Sequence, residues 1–88
     1  MYEIEFDPTK DAANIAKHGL SLADAAAFDF DDSFAEVDRR FAYGEVRYRA
    51  FGRIGGLGYC LAFTINGTVL RPISFRRAHD KEMRRYGK

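Results

Sequence analysis

Three short stretches carry residue types that can move a proton or hold a phosphate. The first is Lys17-His18-Gly19. Imidazole titrates near neutral pH, so His18 can serve as a general base or acid. A helix ending there would favour its charged form. The alternative is that Lys17 and His18 only satisfy the last carbonyls of that helix. The second stretch is Arg71-Pro72-Ile73-Ser74-Phe75-Arg76-Arg77. In an unbroken strand Arg71, Ile73 and Phe75 share one face, and Ser74 and Arg76 share the other. An Arg at a strand-to-helix junction can reach a phosphate held over the sheet, or it can pair with a carboxylate of the protein itself. The third is Ala78, Glu82 and Tyr86, whose spacing aligns them along one side of a helix. Glu82 can act as a base or hold an Arg in place. Tyr86 can stack on a base or donate a proton. The alternative is a Glu–Arg salt bridge and a Tyr that closes the core. Arg84 and Arg85 fall on solvated faces.

A fourth group, Asp29, Asp31, Asp32, Glu36 and Asp38, is acidic enough to hold Mg²⁺ in principle. Its spacing matches no calcium loop, and it reads as a solvated loop. His18, His79 and Cys60 are scattered and make no zinc pattern. Cys60 is the single cysteine and lies in an apolar run, so it is expected as a small buried hydrophobe. No metal or other cofactor is expected.

The elements that must position these groups follow from pattern and caps. Residues 2–6 alternate apolar and acidic, as a half-buried strand does. Asp7-Pro8 is a helix start, and Gly19 its stop. Ala12, Ile15 and Ala16 would form the apolar face of that helix. Ser21 is the N-cap of a second helix through Ala27. Asp29 to Ser33 reads as a loop. From there the period is two, with strands at Phe34–Arg40 and Glu45–Arg53. In the latter, Val46, Tyr48 and Ala50 face one way and Arg47, Arg49 and Phe51 the other. Gly55, Gly56 and Gly58 mark a turn. Tyr59–Ile65 is expected as a central strand, followed by an Asn66-Gly67 hairpin turn and a strand Thr68–Phe75. Pro72 lacks a backbone donor, which favours an edge or an irregular point. A last helix runs from Arg77 or Ala78 to Tyr86. The order predicts an α+β fold: an antiparallel meander with two N-terminal helices and one C-terminal helix, all packed on one sheet face.

The chain has 88 residues, with eight Phe and five Tyr, enough for one small domain spanning residues 1–88. A domain of this size buries roughly 60–65% of its unfolded surface, so its core is modest. The net charge of +1 hides an asymmetry. Residues 1–38 hold ten acids and two bases, while residues 39–88 hold three acids and twelve bases, ten of them Arg. Arg binds phosphate in a planar, bidentate way. Such a split suggests a polyanionic partner, unless the acidic half neutralises the basic half within the fold. Met1 to Asp7 has the wrong composition for a signal peptide, and no stretch approaches the ~20 apolar residues of a membrane span. The expected compartment is the cytoplasm.

Taken together, these segments resemble the BrnT toxin family. The N-terminal pattern Phe-Asp-x-x-Lys-x-x-x-Asn-x-x-Lys-His-Gly is matched by Phe6, Asp7, Lys10, Asn14, Lys17, His18 and Gly19. Leu22, Ala25 and Phe28-Asp29 follow. Gly44, Arg47, Tyr48 and Gly52 match a middle pattern. Arg71, Ile73, Ser74, Arg76, Ala78, Glu82 and Tyr86 match the C-terminal one. Pro72 and Phe75 depart from it, standing where an aliphatic and a small residue are expected, which predicts a bent last strand and an altered approach to Arg76. The resemblance implies a RelE-like fold and a metal-independent endoribonuclease that inhibits translation and growth. It implies an RNA substrate and a BrnA-like antitoxin with a DNA-binding domain, through which the pair represses its operon, with a dimer within the complex. For the chemistry, Arg47 and Arg76 are expected to clamp the scissile phosphate. His18 or Glu82 would be the base, and Lys17 or Tyr86 would assist the leaving group. Arg49, Arg53, Arg71 and Arg77 are expected to bind RNA. The rival expectation is a non-catalytic module that binds RNA or a partner through the same Arg-rich face.

Overall fold

The computed structural model describes residues 2–40, 42 and 44–88. Strand β1 (Glu3–Ile4) leads into helix α1 (Pro8–His18) and a short 3₁₀ helix (Leu22–Ala27). Four strands follow, β2 (Ser33–Val37), β3 (Tyr48–Ile54), β4 (Leu57–Asn66) and β5 (Val69–Arg77), and then helix α2 (Asp80–Arg85). No helix among the described residues is long and apolar enough to cross a membrane.

The local signals act as their chemistry dictates. Asp7 caps α1 by accepting from the Thr9 N–H at 2.8 Å. Gly19 ends it at φ 73°, a left-handed conformation that costs glycine little. Ser21 caps the 3₁₀ helix, and the Asp11 carboxylate bridges the two by accepting from Ser21 Oγ and the Leu22 N–H. The expected apolar face of α1 is not its buried face. Ile15 stays 46% exposed, and the buried residue is Asn14. An amide can replace an apolar contact here because backbone groups of Phe75 and Leu20 satisfy it.

The strand order is β1-β5-β4-β3-β2, which makes β4 the central strand as its apolar run implies. The sheet is mixed rather than wholly antiparallel. β2 to β5 form the expected meander, but β1 pairs parallel to β5 through Glu3↔Val69 and Ile4↔Leu70. Gly58 lies inside β4 rather than in the turn, and a Cβ there would stand 2.7 Å from Met83 Cγ.

Helices occupy both sheet faces, contrary to the single-sided packing expected. Ala50, Leu61, Phe63 and Phe75 pack with Leu22, Ala25 and Phe28 on one side. Phe51 and Cys60, which alternate with Ala50 and Leu61, pack with Ala78, Met83 and Tyr86 on the other. Cys60 is therefore a buried core residue, as expected, and burial pushes its thiol pKa up.

Pro72 sits at an irregular point. Ala62 pairs with Ser74 but Phe63 pairs with Pro72, so β5 carries one extra residue, Ile73. The bulge reverses the face parity on its N-terminal side. Arg71, opposite Thr64, joins the face of Ser74 and Arg76, while Pro72 joins that of Phe75. The expected grouping of Arg71 with Phe75 is thereby overturned. Both departures from the family pattern, Pro72 and Phe75, are buried on the face away from Arg76.

Candidate active site

The face beneath α2 gathers charged groups from distant parts of the chain. Register places Phe34, Phe51, Cys60 and Arg76 in one row across four strands, and Glu36, Arg49, Ala62 and Ser74 in the next. Arg76 and Glu82 form a bidentate pair, with both N···O distances 2.9 Å. Glu82 Oε1 also accepts from the His79 N–H that opens α2. The Arg76 guanidinium outweighs partial burial and, with His79, holds the Glu82 carboxyl at a pKa of about 2. A carboxylate so stabilised is a poor proton acceptor near neutral pH, and its geometry suits holding Arg76 and the start of α2.

A second constellation lies beside it. Arg49 Nε donates to Glu36 Oε1 at 2.7 Å, and Arg49 NH2 donates to the Tyr86 hydroxyl at 3.0 Å. That hydroxyl donates in turn to Glu36 at 3.1 Å. The Tyr86 ring is near-parallel to both Phe51 and Phe34, at centroid distances of 4.4 and 4.7 Å. Glu36 is thus an ion-pair partner on β2, not part of a solvated acidic loop. Asp38 is likewise buried and bidentate with Arg40, whereas Asp29 accepts from the Asp31 and Asp32 N–H groups and shapes the loop before β2. The described residues contain no cluster of His, Cys, Asp and Glu able to hold a metal.

His18 is the last residue of α1. Asn14, one turn earlier, is clamped to Phe75, the neighbour of Arg76. Burial, then the charges of Lys17 and Arg76, lower the His18 pKa from its ordinary 6.5. Burial first, and the two cations after it, reverse the sign expected from a helix C-terminus. A neutral imidazole can accept a proton.

The other predicted residues divide. Lys17 is exposed beside His18. Arg47 precedes β3, with its carbonyl accepting from the Asp38 N–H and its side chain pairing with Glu45. It lies beyond the Tyr48↔Phe63 pair, farther from the level of Arg76 than Arg49 is. Arg53 donates to the carbonyls of Lys88 and Gly56 at one end of the sheet. Arg71 pairs with Glu5 at 3.8 Å toward the opposite end. Arg77 lies over the Tyr59 ring on the α1 side and so outside this group. Pairs such as Glu36–Arg49, Glu5–Arg71 and Asp32–Lys88 join the acidic half to the basic half, so part of the charge asymmetry is neutralised within the fold.

Sequence reasoning missed Asn14, Glu36 and Phe34 as parts of this arrangement. Asn14 carried one usable signal: it shares a helix face with His18, one turn away. Glu36 and Phe34 needed the β2–β3 register, which no local pattern supplies.

Among curated proteins no sequence matches the chain. The chain is similar to the ribonuclease toxin BrnT of Brucella abortus, whose crystal structure at 1.1 Å resolution superposes with a TM-score of 0.66. The identity is 32%, over 91% of this chain and all of that one. Residues 6–82 match the model of the family described as ribonuclease toxin, BrnT, of type II toxin–antitoxin system, a span that runs from the α1 cap to the carboxylate holding Arg76, and the chain accordingly belongs to the BrnT family.

Proposed function

We propose that this protein is a metal-independent endoribonuclease toxin whose active face is the surface beside α2. The observation that carries the reading is the Asn14–Phe75 clamp, which ties the helix ending in Lys17-His18, from the N-terminal motif, to the strand segment carrying Arg76, from the C-terminal one. Cleavage of RNA needs no external nucleophile, because the ribose 2′-hydroxyl attacks the adjacent phosphorus in line with the departing 5′-oxygen. His18 accepts the 2′-hydroxyl proton. Arg76 and Arg49 hold the backbone and offset the charge that builds on the phosphoryl oxygens. Lys17 donates to the 5′-oxygen, and the products are a 2′,3′-cyclic phosphate and a free 5′-hydroxyl. The Tyr86 hydroxyl, which donates to Glu36, positions Arg49. Glu82 does the same for Arg76. Arg47 and Arg71 extend the contact along the backbone toward the hairpin end, and Arg53 toward the other end. A RelE-like mechanism of translation inhibition follows from such cleavage of messenger RNA. A BrnA-like antitoxin would neutralise the protein by covering this face, and would bring DNA to the complex through its own binding domain. That complex would form in the cytoplasm, with the toxin as a dimer within it.

The test compares wild type with His18→Gln and Arg76→Ala, for growth on induction and for cleavage by purified protein with and without EDTA. Wild type is expected to arrest growth and to cut RNA equally well in EDTA. Both variants are expected to lose roughly 100-fold or more in rate. Full cleavage by Arg76→Ala, or loss of wild-type activity in EDTA, would overturn the reading.

One observation favours a second reading. Arg49 and Arg76 each already pair with a carboxylate. A non-catalytic module would hold RNA or a partner through this face, acting only in the antitoxin complex and its operon control. It predicts a shifted RNA band with no fragments.

A further inference from the structure

Phe34 is an aromatic residue left 36% exposed on the α2 side of the sheet. Its stacked partner Tyr86 is also stacked on Phe51, which is fully buried. Tyr86 therefore has its ring engaged by two neighbours, and Phe34 is the most exposed member of the stack. The stack is tied to the cationic centre, because the Tyr86 hydroxyl accepts from Arg49. Phe34 also lies in the same transverse row as Arg76, three strand spacings or roughly 14 Å away. On the loop side the surroundings of the ring are unsuited to phosphate, because the acidic Asp29–Asp32 loop precedes it. A strand of RNA whose phosphates lie on Arg76 and Arg49 would keep its backbone away from that loop and turn a base toward Phe34.

We propose that Phe34 is a nucleobase-stacking subsite, which takes an unpaired base flanking the scissile phosphate and continues the Phe51–Tyr86–Phe34 stack. It rests on the ribonuclease reading above. Aromatic side chains bind unpaired bases through their π faces with little sequence preference. The subsite therefore selects single-stranded over duplex RNA more than one base over another. Phe34 acts in substrate binding and takes no part in proton transfer.

The experiment uses a short single-stranded RNA, 2′-O-methylated to block cleavage, with 2-aminopurine placed at each position in turn. Wild type is expected to quench the probe at one position. Phe34→Leu, which keeps an apolar side chain on an exposed strand, is expected to abolish that quenching, and Phe34→Trp to retain it. On cleavable RNA, Phe34→Leu should raise KM roughly ten-fold with kcat within about two-fold. Quenching and KM equal to wild type in Phe34→Leu would overturn the subsite while leaving the ribonuclease intact. If that variant cleaved normally but escaped neutralisation by the antitoxin, the ring would instead belong to the protein interface. Wild type that neither cleaves nor quenches would remove both readings together.

Discussion

The side-chain amide of Asn14 pairs with the backbone of Phe75 much as a neighbouring strand would. Its Oδ1 accepts from the Phe75 N–H at 3.1 Å, and its Nδ2 donates to the Phe75 carbonyl at 2.9 Å. β1 pairs with β5 only at Val69 and Leu70, so the rest of that edge needs another partner. One helical residue supplies it, and thereby ties the helix that ends at His18 to the strand segment that carries Arg76.

Asn14→Ala is expected to cost about 3 kcal/mol, because both backbone groups of Phe75 lose their partner in a buried setting. Urea denaturation measures it. Asn14→Asp should be nearly as damaging, since a carboxylate cannot donate to the carbonyls of Phe75 and Leu20. A loss below about 0.5 kcal/mol in both variants would show that the clamp adds little.

Gly58→Ala tests how tightly α2 is seated. The added Cβ would stand 2.7 Å from Met83 Cγ and 2.9 Å from its Sδ, and Met83 is only 1% exposed. Overpacking of this kind costs about 1–3 kcal/mol. Glu82 and Tyr86 flank Met83, so RNA cleavage should fall as well. A second change, Met83→Ala, removes the clashing atoms, so the double variant should lose less stability than the sum of the two single losses.

The pH dependence of cleavage should carry the mark of His18. Burial, Lys17 and Arg76 all disfavour the imidazolium, so the acid limb of kcat/KM is expected below pH 6.5. Lys17→Gln removes one of the cations and should move that limb upward, whatever it does to the maximal rate. For stability the sign is the same as for any lowered folded-state pKa. The neutral form contributes fully above pH 6.5, and its contribution is lost as pH falls through the folded value. An acid limb unmoved by Lys17→Gln would separate His18 from proton transfer.

Glu82 sets the behaviour in stronger acid. Its folded pKa of about 2 lies below the ordinary 4.5, so the Arg76 pair stabilises the fold above pH 4.5 and fades between there and about pH 2. Glu82→Gln should therefore lose on the order of 2 kcal/mol at pH 7, allowing for solvent around a pair that is partly exposed. The two proteins should converge in stability toward pH 2. Parallel stability curves across that range would contradict the assigned pair.

Cys60 should resist alkylation in the native state. Its side chain is buried under α2 beside Phe51 and Met83, and burial raises its pKa, so little thiolate is available. Iodoacetamide at pH 8 is expected to label it only as fast as the protein opens, and labelling should rise sharply in urea. Rapid native labelling would place α2 elsewhere.

Much of this architecture was legible in local chemistry. Asp7-Pro8 and Gly19 bound α1 because a cap, a pre-set φ and a left-handed residue act over a single turn. The Asn66-Gly67 turn and the apolar run of β4 were equally plain, since turn geometry and a period of two are properties of neighbouring residues. The matched motifs were enough to indicate the family. Other features depended on contacts between segments remote in the chain. The parallel pairing of β1, the side of the sheet that α2 covers and the partner of each Arg are settled by which arrangement buries the most apolar surface while satisfying every polar group. The bulge at Ile73 shows the limit most clearly: one unpaired residue reverses the parity of the strand, so Arg71 changes face although nothing in its immediate neighbours changes. In the same way Asn14 stood in the sequence only as one position of a matched motif, and the open edge of β5 made it the residue that ties α1 to the strand segment before Arg76.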